Sequence, residues 1–305
     1  MFVFKREQTV FDAGGVRIGG QPGENPTVLV GGLFFKGQPI VEDVSSGRFD
    51  QALAAEWIST AMGMSQRTGH PLILQVYGAT PEAMERHLQW VTEKFDGPFM
   101  FESTNSDARK RGITYCSEVG LENRTIYNSV NMSMRDDERE TLRNSPIHMA
   151  VILGWSPRIV SMLDRMELIR STLSEAEGLG IDVFLVDPAV MPVGAGYGSE
   201  YRTLISIKAE LGLPTCLGPH NAVSSWSYLR QHSSDNRDMY LASIAASVAA
   251  AQVCAADCIM FGSLQWAREI FASVALVQNA IVTAVGEADE TLGLKRDLFE
   301  PPTCR

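Results

Sequence analysis

Apolar and polar positions alternate along this chain in blocks. A loose hairpin pattern covers Thr9–Gly20, with its turn at Gly14-Gly15. A continuous apolar run, Thr27–Phe35, follows, and runs of this kind predict strands covered on both faces. A polar loop leads from it to an amphipathic helix over Phe49–Thr68, stopped by Gly69. The couple then repeats. Strand Pro71–Tyr77 precedes a helix with Thr80 as N-cap, Pro81 at its first position and an end near Phe95. Strand Pro98–Glu102 precedes helix Ser106–Val119, Arg124–Asn128 precedes Arg135–Asn144, and Ile147–Leu153 precedes a helix from Ser156-Pro157 to Gly180. Val183–Asp187, ended by Pro188, leads through the glycine-rich loop Gly194–Gly198 into helix Ser199–Leu211. Pro214–Gly218 leads through a long serine-rich loop carrying Trp226 and Tyr228 into helix Asp238–Ala255. Asp257–Phe261 and helix Leu264–Val285 close the series.

Eight strand–helix alternations with short connections predict an α/β fold, a (β/α)8 TIM barrel, rather than an open sheet. Residues 1–305 read as a single domain in which residues 1–25 form a short N-terminal β-hairpin extension that plugs the N-terminal end of the barrel. No Gly-x-Gly-x-x-Gly follows the first strand, which removes the main sign of a dinucleotide fold.

Composition narrows the classes of partner. Of 305 residues, 45% are hydrophobic and 20% charged, as in ordinary soluble proteins. A net charge of −10 argues against nucleic acid, which requires a basic face. No apolar run approaches a membrane span and the N-terminus lacks a signal h-region, so the expectation is a cytoplasmic protein with no membrane partner. The five cysteines, Cys116, Cys216, Cys254, Cys258 and Cys304, are scattered and odd in number, which predicts no disulfide framework. Cys254 and Cys258 have helical spacing but no nearby histidine, so they read as packing residues and no metal site is expected.

In such a barrel the chemistry lies at the C-terminal strand ends. Those positions hold Gln75, Glu102, Asn128, Asp187 and Asn221, with Asn105, Ser129 and His220 beside them. The ring is rich in acids and amides. Lys36 is the only lysine near it and is a poor Schiff-base candidate. His220 stands alone, short of a hydrolytic metal set, and no Gly-x-Ser-x-Gly elbow falls at a strand end. What remains is a site for a flat heterocycle bearing donors and acceptors. A carboxylate suits the guanidine-like edge of a pterin, where two parallel N–H groups meet two oxygens, and an asparagine can donate and accept at once.

Leu185-Val186-Asp187-Pro188-Ala189-Val190-Met191-Pro192-Val193, Phe101-Glu102-Ser103-Thr104-Asn105, Tyr127-Asn128-Ser129 and Gly218-Pro219-His220-Asn221 follow one another as in the pterin-binding, corrinoid-dependent methyltransferases, which this chain resembles. Gly14–Glu24, Thr80–Met84 and Gly218–Ala222 resemble most closely the H-subunit family of tetrahydromethanopterin S-methyltransferase. The resemblance runs from the first residues to the last helix. It implies a methyltransferase that moves a methyl group between N5 of a tetrahydropterin and the cobalt of cobalamin carried by a partner corrinoid protein, with a homodimer as the expected assembly. It also implies that Asp187 holds the pterin ring, Glu102 takes the place of a second pterin-binding aspartate, Asn128 meets the other ring edge, and Asn221 stands near N5. Asp187 and Asn221 are the expected catalytic pair, and Gln75, Asn105 and Ser129 complete the expected substrate shell.

Two departures from the family pattern are Glu102, one methylene longer than the usual aspartate, and Gln75, where an acid is frequent. Asn105 in Ser-Thr-Asn resembles folate-using enzymes and favours tetrahydrofolate as carrier. A stand-alone enzyme of a bacterial methylamine or betaine demethylation pathway is compatible with the chain. The alternatives are a tetrahydromethanopterin-specific subunit or a non-catalytic subunit that docks the corrinoid protein. Dihydropteroate synthase ranks low, because Leu217–Asn221 and Ile259–Ser263 lack the lysine and the Arg-x-His that its chemistry needs. Asn105 and Asn128 also fit as loop caps, His220 as a hydrogen-bonding residue rather than an acid, and Trp155, Trp226 and Tyr228 as a surface for the planar corrin or, the favoured reading, a shield over the pocket.

Overall fold

The computed structural model describes residues 2–157, 159, 161–232 and 237–288. β1 (Val10–Ala13) and β2 (Val16–Gly19) pair antiparallel around Gly14-Gly15, as the hairpin pattern predicts. β3 (Val28–Leu33) is the first barrel strand. The loop after it contains a two-stranded ribbon that the sequence did not announce, β4 (Val41–Asp43) with β5 (Arg48–Phe49). Then come α1 (Gln51–Thr68), β6 (Leu72–Tyr77), α2 (Pro81–Lys94), β7 (Phe99–Glu102), α3 (Ser106–Glu118), β8 (Thr125–Val130), α4 (Asp136–Arg143) and β9 (Met149–Leu153). α5 (Met162–Gly178), β10 (Val183–Asp187), α6 (Ser199–Glu210), β11 (Cys216–Leu217), α7 (His220–Ser225), α8 (Ser227–His232), α9 (Arg237–Val253), β12 (Cys258–Ser263) and α10 (Ala267–Ala288) complete the order.

The eight parallel strands pair as β10–β9–β8–β7–β6–β3–β12–β11. A bridge between Val186 and Thr215, with the Val186 N–H donating to the Pro214 carbonyl at 2.9 Å, brings β10 against β11 and nearly closes the barrel. Side chains alternate across each strand, so every second residue points inward. Val28, Val30, Ile73, Met100, Ile126, Met149, Val151, Leu185, Cys216, Cys258 and Met260 form one buried cluster. Ala13 and Ile18 of the hairpin belong to the same cluster, which makes the hairpin the plug at the barrel's N-terminal end. The intervening residues, among them Leu29, Leu74, Phe99, Phe101 and Tyr127, face outward into the larger core beneath the helices.

Local chemistry sets the helix ends. Asp50 and Thr80 cap α1 and α2 through side-chain oxygens that accept from Leu53 and Ala83, and Gly69 takes the left-handed conformation (φ 72°) that ends α1. α5 starts later than Ser156-Pro157 suggests, because Ser161 and Asp164 form a reciprocal capping box. The serine-rich stretch after β11 is not a loop: α7 and α8 occupy it, and Trp226 packs against the core.

The expectation that no apolar run reaches membrane length is corrected by Leu264–Glu287, a 24-residue stretch containing an 18-residue window with a mean hydropathy of 1.5. Length and composition alone produce this result. Ile270, Phe271, Val274, Ile281, Val282 and Val285 of that stretch are buried, and α10 packs against α1 and α9. Cys216 and Cys258 are neighbours inside the barrel, and Cys116, Cys216, Cys254 and Cys258 are free thiols. Cys304 lies outside the described residues.

One fully buried charge ties the N-terminal end together. Lys208 of α6 donates to both carboxylate oxygens of Asp257 at 2.8 Å and to the Gly20 carbonyl at 2.7 Å, while Asp257 also accepts from the Thr215 N–H. Removing one member of such a buried pair strands the other. Lys208→Ala is expected to lower the unfolding free energy by about 3–5 kcal/mol in urea titration. A loss below about 1 kcal/mol would show that this end does not depend on the pair.

Candidate functional site

The strand pleat continues upward from the apolar interior. Two residues beyond Ile73, Met100, Ile126 and Leu185 stand Gln75, Glu102, Asn128 and Asp187, on the same inward face. The polar ring is therefore the top layer of the barrel filling. Above it opens a cavity of about 1370 Å3. Gln75, Glu102, Asn105, Asn128, Ser129, Asp187, Asn221 and His220 all line it, with Lys36 and Trp155 at its edge. Trp226 and Tyr228 are not among its lining residues.

Asp187 is 5% exposed. Its Oδ1 accepts the Ala189 N–H at 2.7 Å, across a turn in which Ala189 holds a left-handed φ of 62°. No described donor reaches Oδ2, which remains open to the cavity. Burial pushes the Asp187 carboxyl up to about 7, against the pull of the Ala189 N–H and of Arg165, and Glu102 and Glu200 add repulsion. Arg165 on α5 and Glu200 on α6 are buried behind it, without a salt bridge between them. Burial also raises the Glu200 carboxyl and lowers Arg165.

Glu102 gathers the amides. Its Oε2 accepts Gln75 Nε2 at 2.6 Å and Asn128 Nδ2 at 3.0 Å. Oε1 has no described donor and opens on the cavity. Desolvation raises this carboxyl to about 7, partly countered by Gln75 and by Arg109. The Asn128–Ser129 peptide is cis, and the strand register shifts between Asn128 and Val130. Ser129 accepts from Asn131 through both its hydroxyl and its carbonyl.

Asn105 is occupied as a cap: its Oδ1 accepts the Asp107 N–H at 2.9 Å at the start of α3, and its Nδ2 donates to the Ala79 carbonyl at 3.3 Å. His220 Nδ1 lies 2.8 Å from the Met260 carbonyl. A carbonyl carries no proton, so Nδ1 must be the protonated nitrogen and Nε2 an acceptor. Burial lowers the His220 pKa and keeps the ring neutral. Gly262 allows this placement, since a Cβ there would lie 3.1 Å from the imidazole and its φ is 91°. Asn221 is exposed at the rim, and its side-chain amide has no described partner.

Beneath the rim lies a network that sequence reading missed. Arg109 of α3 lines the cavity and donates to the Ser103 carbonyl and to both oxygens of Glu138 on α4. Glu138 is fully buried and also accepts from Tyr127 and Ser106. Arg109 and Tyr127 hold the Glu138 carboxyl below its usual range despite burial, and burial together with that carboxylate raises the Tyr127 phenol. The network fixes the Glu102–Ser106 turn from below. Its members come from the consecutive elements α3, β8 and α4, and nothing in the charged run Asp136–Arg143 marks Glu138 as the buried carboxylate. Among the described residues no cluster of three or more His, Cys, Asp or Glu side chains is arranged to hold a metal ion.

The model of the tetrahydromethanopterin S-methyltransferase MtrH subunit family matches residues 6–293. The tetrahydromethanopterin S-methyltransferase H-subunit of Methanothermobacter marburgensis is 38% identical over 292 residues, covering 93% of this chain and 94% of that protein. The corresponding H-subunit of Methanosarcina acetivorans is 35% identical over 307 residues, covering 97% and 96%. Among solved structures, Yersinia pestis dihydropteroate synthase with a pterine-sulfa conjugate superposes with a TM-score of 0.59 at 12% identity, covering 88% of this chain and 99% of that one. Xanthomonas albilineans dihydropteroate synthase superposes at 0.54 with 14% identity, covering 89% and 98%. The structural likeness establishes the barrel, and the sequence match over nearly the whole length establishes more: this chain is a member of the tetrahydromethanopterin S-methyltransferase MtrH subunit family.

Proposed function

We propose that this chain is a tetrahydropterin-binding methyltransferase that exchanges a methyl group between N5 of the pterin and a corrinoid carried on a partner protein. The observation that carries this reading is the open Oδ2 of Asp187 at the floor of a barrel-end cavity lined by acids and amides. The curated relatives are named for tetrahydromethanopterin, which supports that carrier over tetrahydrofolate. The hint toward tetrahydrofolate rested on Asn105, and both polar ends of that side chain are occupied in capping α3 and holding Ala79. A corrinoid supplies a cobalt that takes up or yields the methyl group. The about 1370 Å3 cavity has room above a pterin, and exposed Trp155 and Met132 at its edge offer apolar surface to a planar macrocycle.

The roles of the chain's own residues follow from their places. Asp187 receives the guanidine-like edge of the pterin, in a charge-assisted bond worth on the order of 1.5–3 kcal/mol. Asn128 and Glu102 bound the ring from β8 and β7, Gln75 braces Glu102, and Ser129 adds a polar group to the same wall of the cavity. Asn221 faces N5 from the rim and supports the charge that develops there during transfer. Orientation carries much of the barrier reduction, because aligning two large partners removes translational and rotational freedom beforehand. A second reading, a subunit that only docks a corrinoid protein, differs in having no turnover.

Mixing the purified chain with methylcobalamin and either tetrahydromethanopterin or tetrahydrofolate is expected to change the cobalamin spectrum, faster with the former. A silent spectrum with both carriers, alongside retained binding of a corrinoid protein, would establish the docking reading instead. Asp187→Ala is expected to weaken tetrahydropterin binding at least roughly tenfold by calorimetry. Asn221→Ala is expected to slow transfer about 10²–10³-fold while leaving the tetrahydropterin Kd within about threefold.

A further inference from the structure

Two carboxyl groups face one cavity, and neither has a cation within ion-pair distance among the described residues. The arginines nearby serve other partners or stand back: Arg109 is bound to Glu138 and Ser103, and Arg165 makes no salt bridge to Asp187. An uncompensated charge in such a place is costly, and two like charges across one hollow cost more. The two carboxyls are not equivalent, however. Asp187 accepts a backbone N–H at Oδ1 and shows an open Oδ2. Glu102 has both of its amide donors, Gln75 and Asn128, on the same oxygen, Oε2. That oxygen is fixed as an acceptor, so a proton on this group can reside only on Oε1, the oxygen that faces the cavity.

We propose that the pair works with a single shared proton: Asp187 receives the ring as a carboxylate, while Glu102 stays a neutral carboxylic acid and donates its Oε1 proton to an acceptor atom of the bound heterocycle. This rests on the pterin reading above and refines the expectation that Glu102 acts as a second carboxylate. The chemistry of the ligand suits it. The donor edge of a reduced pterin, N3–H with the 2-amino group, is flanked by acceptors at N1 and the C4 carbonyl. One ionised and one protonated acid thus match one donor edge and one flanking acceptor, whereas a second carboxylate set against N1 or the C4 carbonyl would repel it. The extra methylene of Glu102 carries the acid further into the cavity than an aspartate at that position reaches. Gln75 fits the same logic: it is 3% exposed and donates to Oε2, whereas an acid there would set a third carboxyl against Glu102.

The pH dependence has a definite sign. The groups facing Glu102 are Gln75, Asn128, Arg109 and, across the cavity, Asp187; those facing Asp187 are the Ala189 N–H, Arg165, Glu200, the Cys216 thiol and Glu102. Both carboxyls lie near 7 in the free protein. Below that pH, binding must expel a proton from Asp187; above it, binding must supply one to Glu102. Affinity should fall in both directions, approaching tenfold per pH unit in each limb.

The test is the Kd of tetrahydromethanopterin for the full chain, by calorimetry from pH 5.5 to 9 in buffers of different ionisation enthalpy. The expected result is a maximum near neutrality, with proton uptake on binding in the alkaline limb. Glu102→Gln, which keeps a donor and lacks a proton to lose, should remain within about threefold of wild type at the optimum and should flatten the alkaline limb alone. Asp187→Asn should flatten the acid limb. A wild-type affinity that holds level or rises to pH 9 without proton uptake overturns the proposal, whatever the variants do. So does a Glu102→Gln loss of thirtyfold or more that is equal at every pH. In either case pterin binding itself survives, which separates this failure from failure of the functional reading. No binding at any pH overturns both.

Discussion

The structure depends on one constraint: a parallel barrel must fill its interior, and the pleat decides what fills it. Every second residue of each strand points inward, and those layers are apolar from the hairpin plug at Ala13 and Ile18 up to Met100, Ile126 and Leu185. The next inward position on β6, β7, β8 and β10 is polar. Acids and amides are thereby placed where the dry interior meets the opening, held by strands rather than by loops. Their unusual electrostatics come from this position, because the apolar layer beneath them leaves Glu102 and Asp187 desolvated.

Buried charge is handled in two opposite ways within the same molecule. Lys208 with Asp257 near the N-terminal end, and Arg109 with Glu138 beside the site, are each closed into sets in which the carboxylate accepts several donors. These sets hold elements in place: the hairpin exit and α6 against β11 and β12, and the Glu102–Ser106 turn against α4. The two site carboxyls each keep one oxygen open. Satisfied pairs define the frame and unsatisfied groups define where a ligand can gain binding energy. Arg109 belongs to both, since it anchors the frame and its charge favours ionisation of Glu102.

Family membership and geometry bear on different questions. The match over residues 6–293 identifies the relatives, while dihydropteroate synthases at 12–14% identity speak only for the barrel. Two kinds of polar side chain line the cavity: those that keep an atom open to a ligand, as Asp187 and Glu102 do, and those that merely stand near. Asn105 illustrates the second kind, because its amide is consumed by the N-terminus of α3 and by Ala79.

Much of this was written locally in the chain. Strand–helix alternation, the Thr80-Pro81 and Gly69 helix boundaries, the Gly14-Gly15 turn and the inward register of Gln75, Glu102, Asn128 and Asp187 all follow from periods of two and 3.6 residues and from backbone preferences of single residues. Boundaries failed where a competing local signal was overlooked, as with the Ser161–Asp164 capping box. Whether an apolar stretch is core or membrane was undecidable from composition, and α10 is placed only by its packing against α1 and α9. The sequence by itself determined the barrel and which residues stand at its rim, because these depend on spacing along one strand at a time. Only the tertiary structure decided which of them remain free: that Asn105 is spent on a cap, that His220 is held by Met260, that Arg109 turns to Glu138, and that Asp187 and Glu102 face each other with no cation in ion-pair range among the described residues. Hydrogen-bond partners and buried charge are set by neighbours distant in sequence, and no period along the chain encodes them.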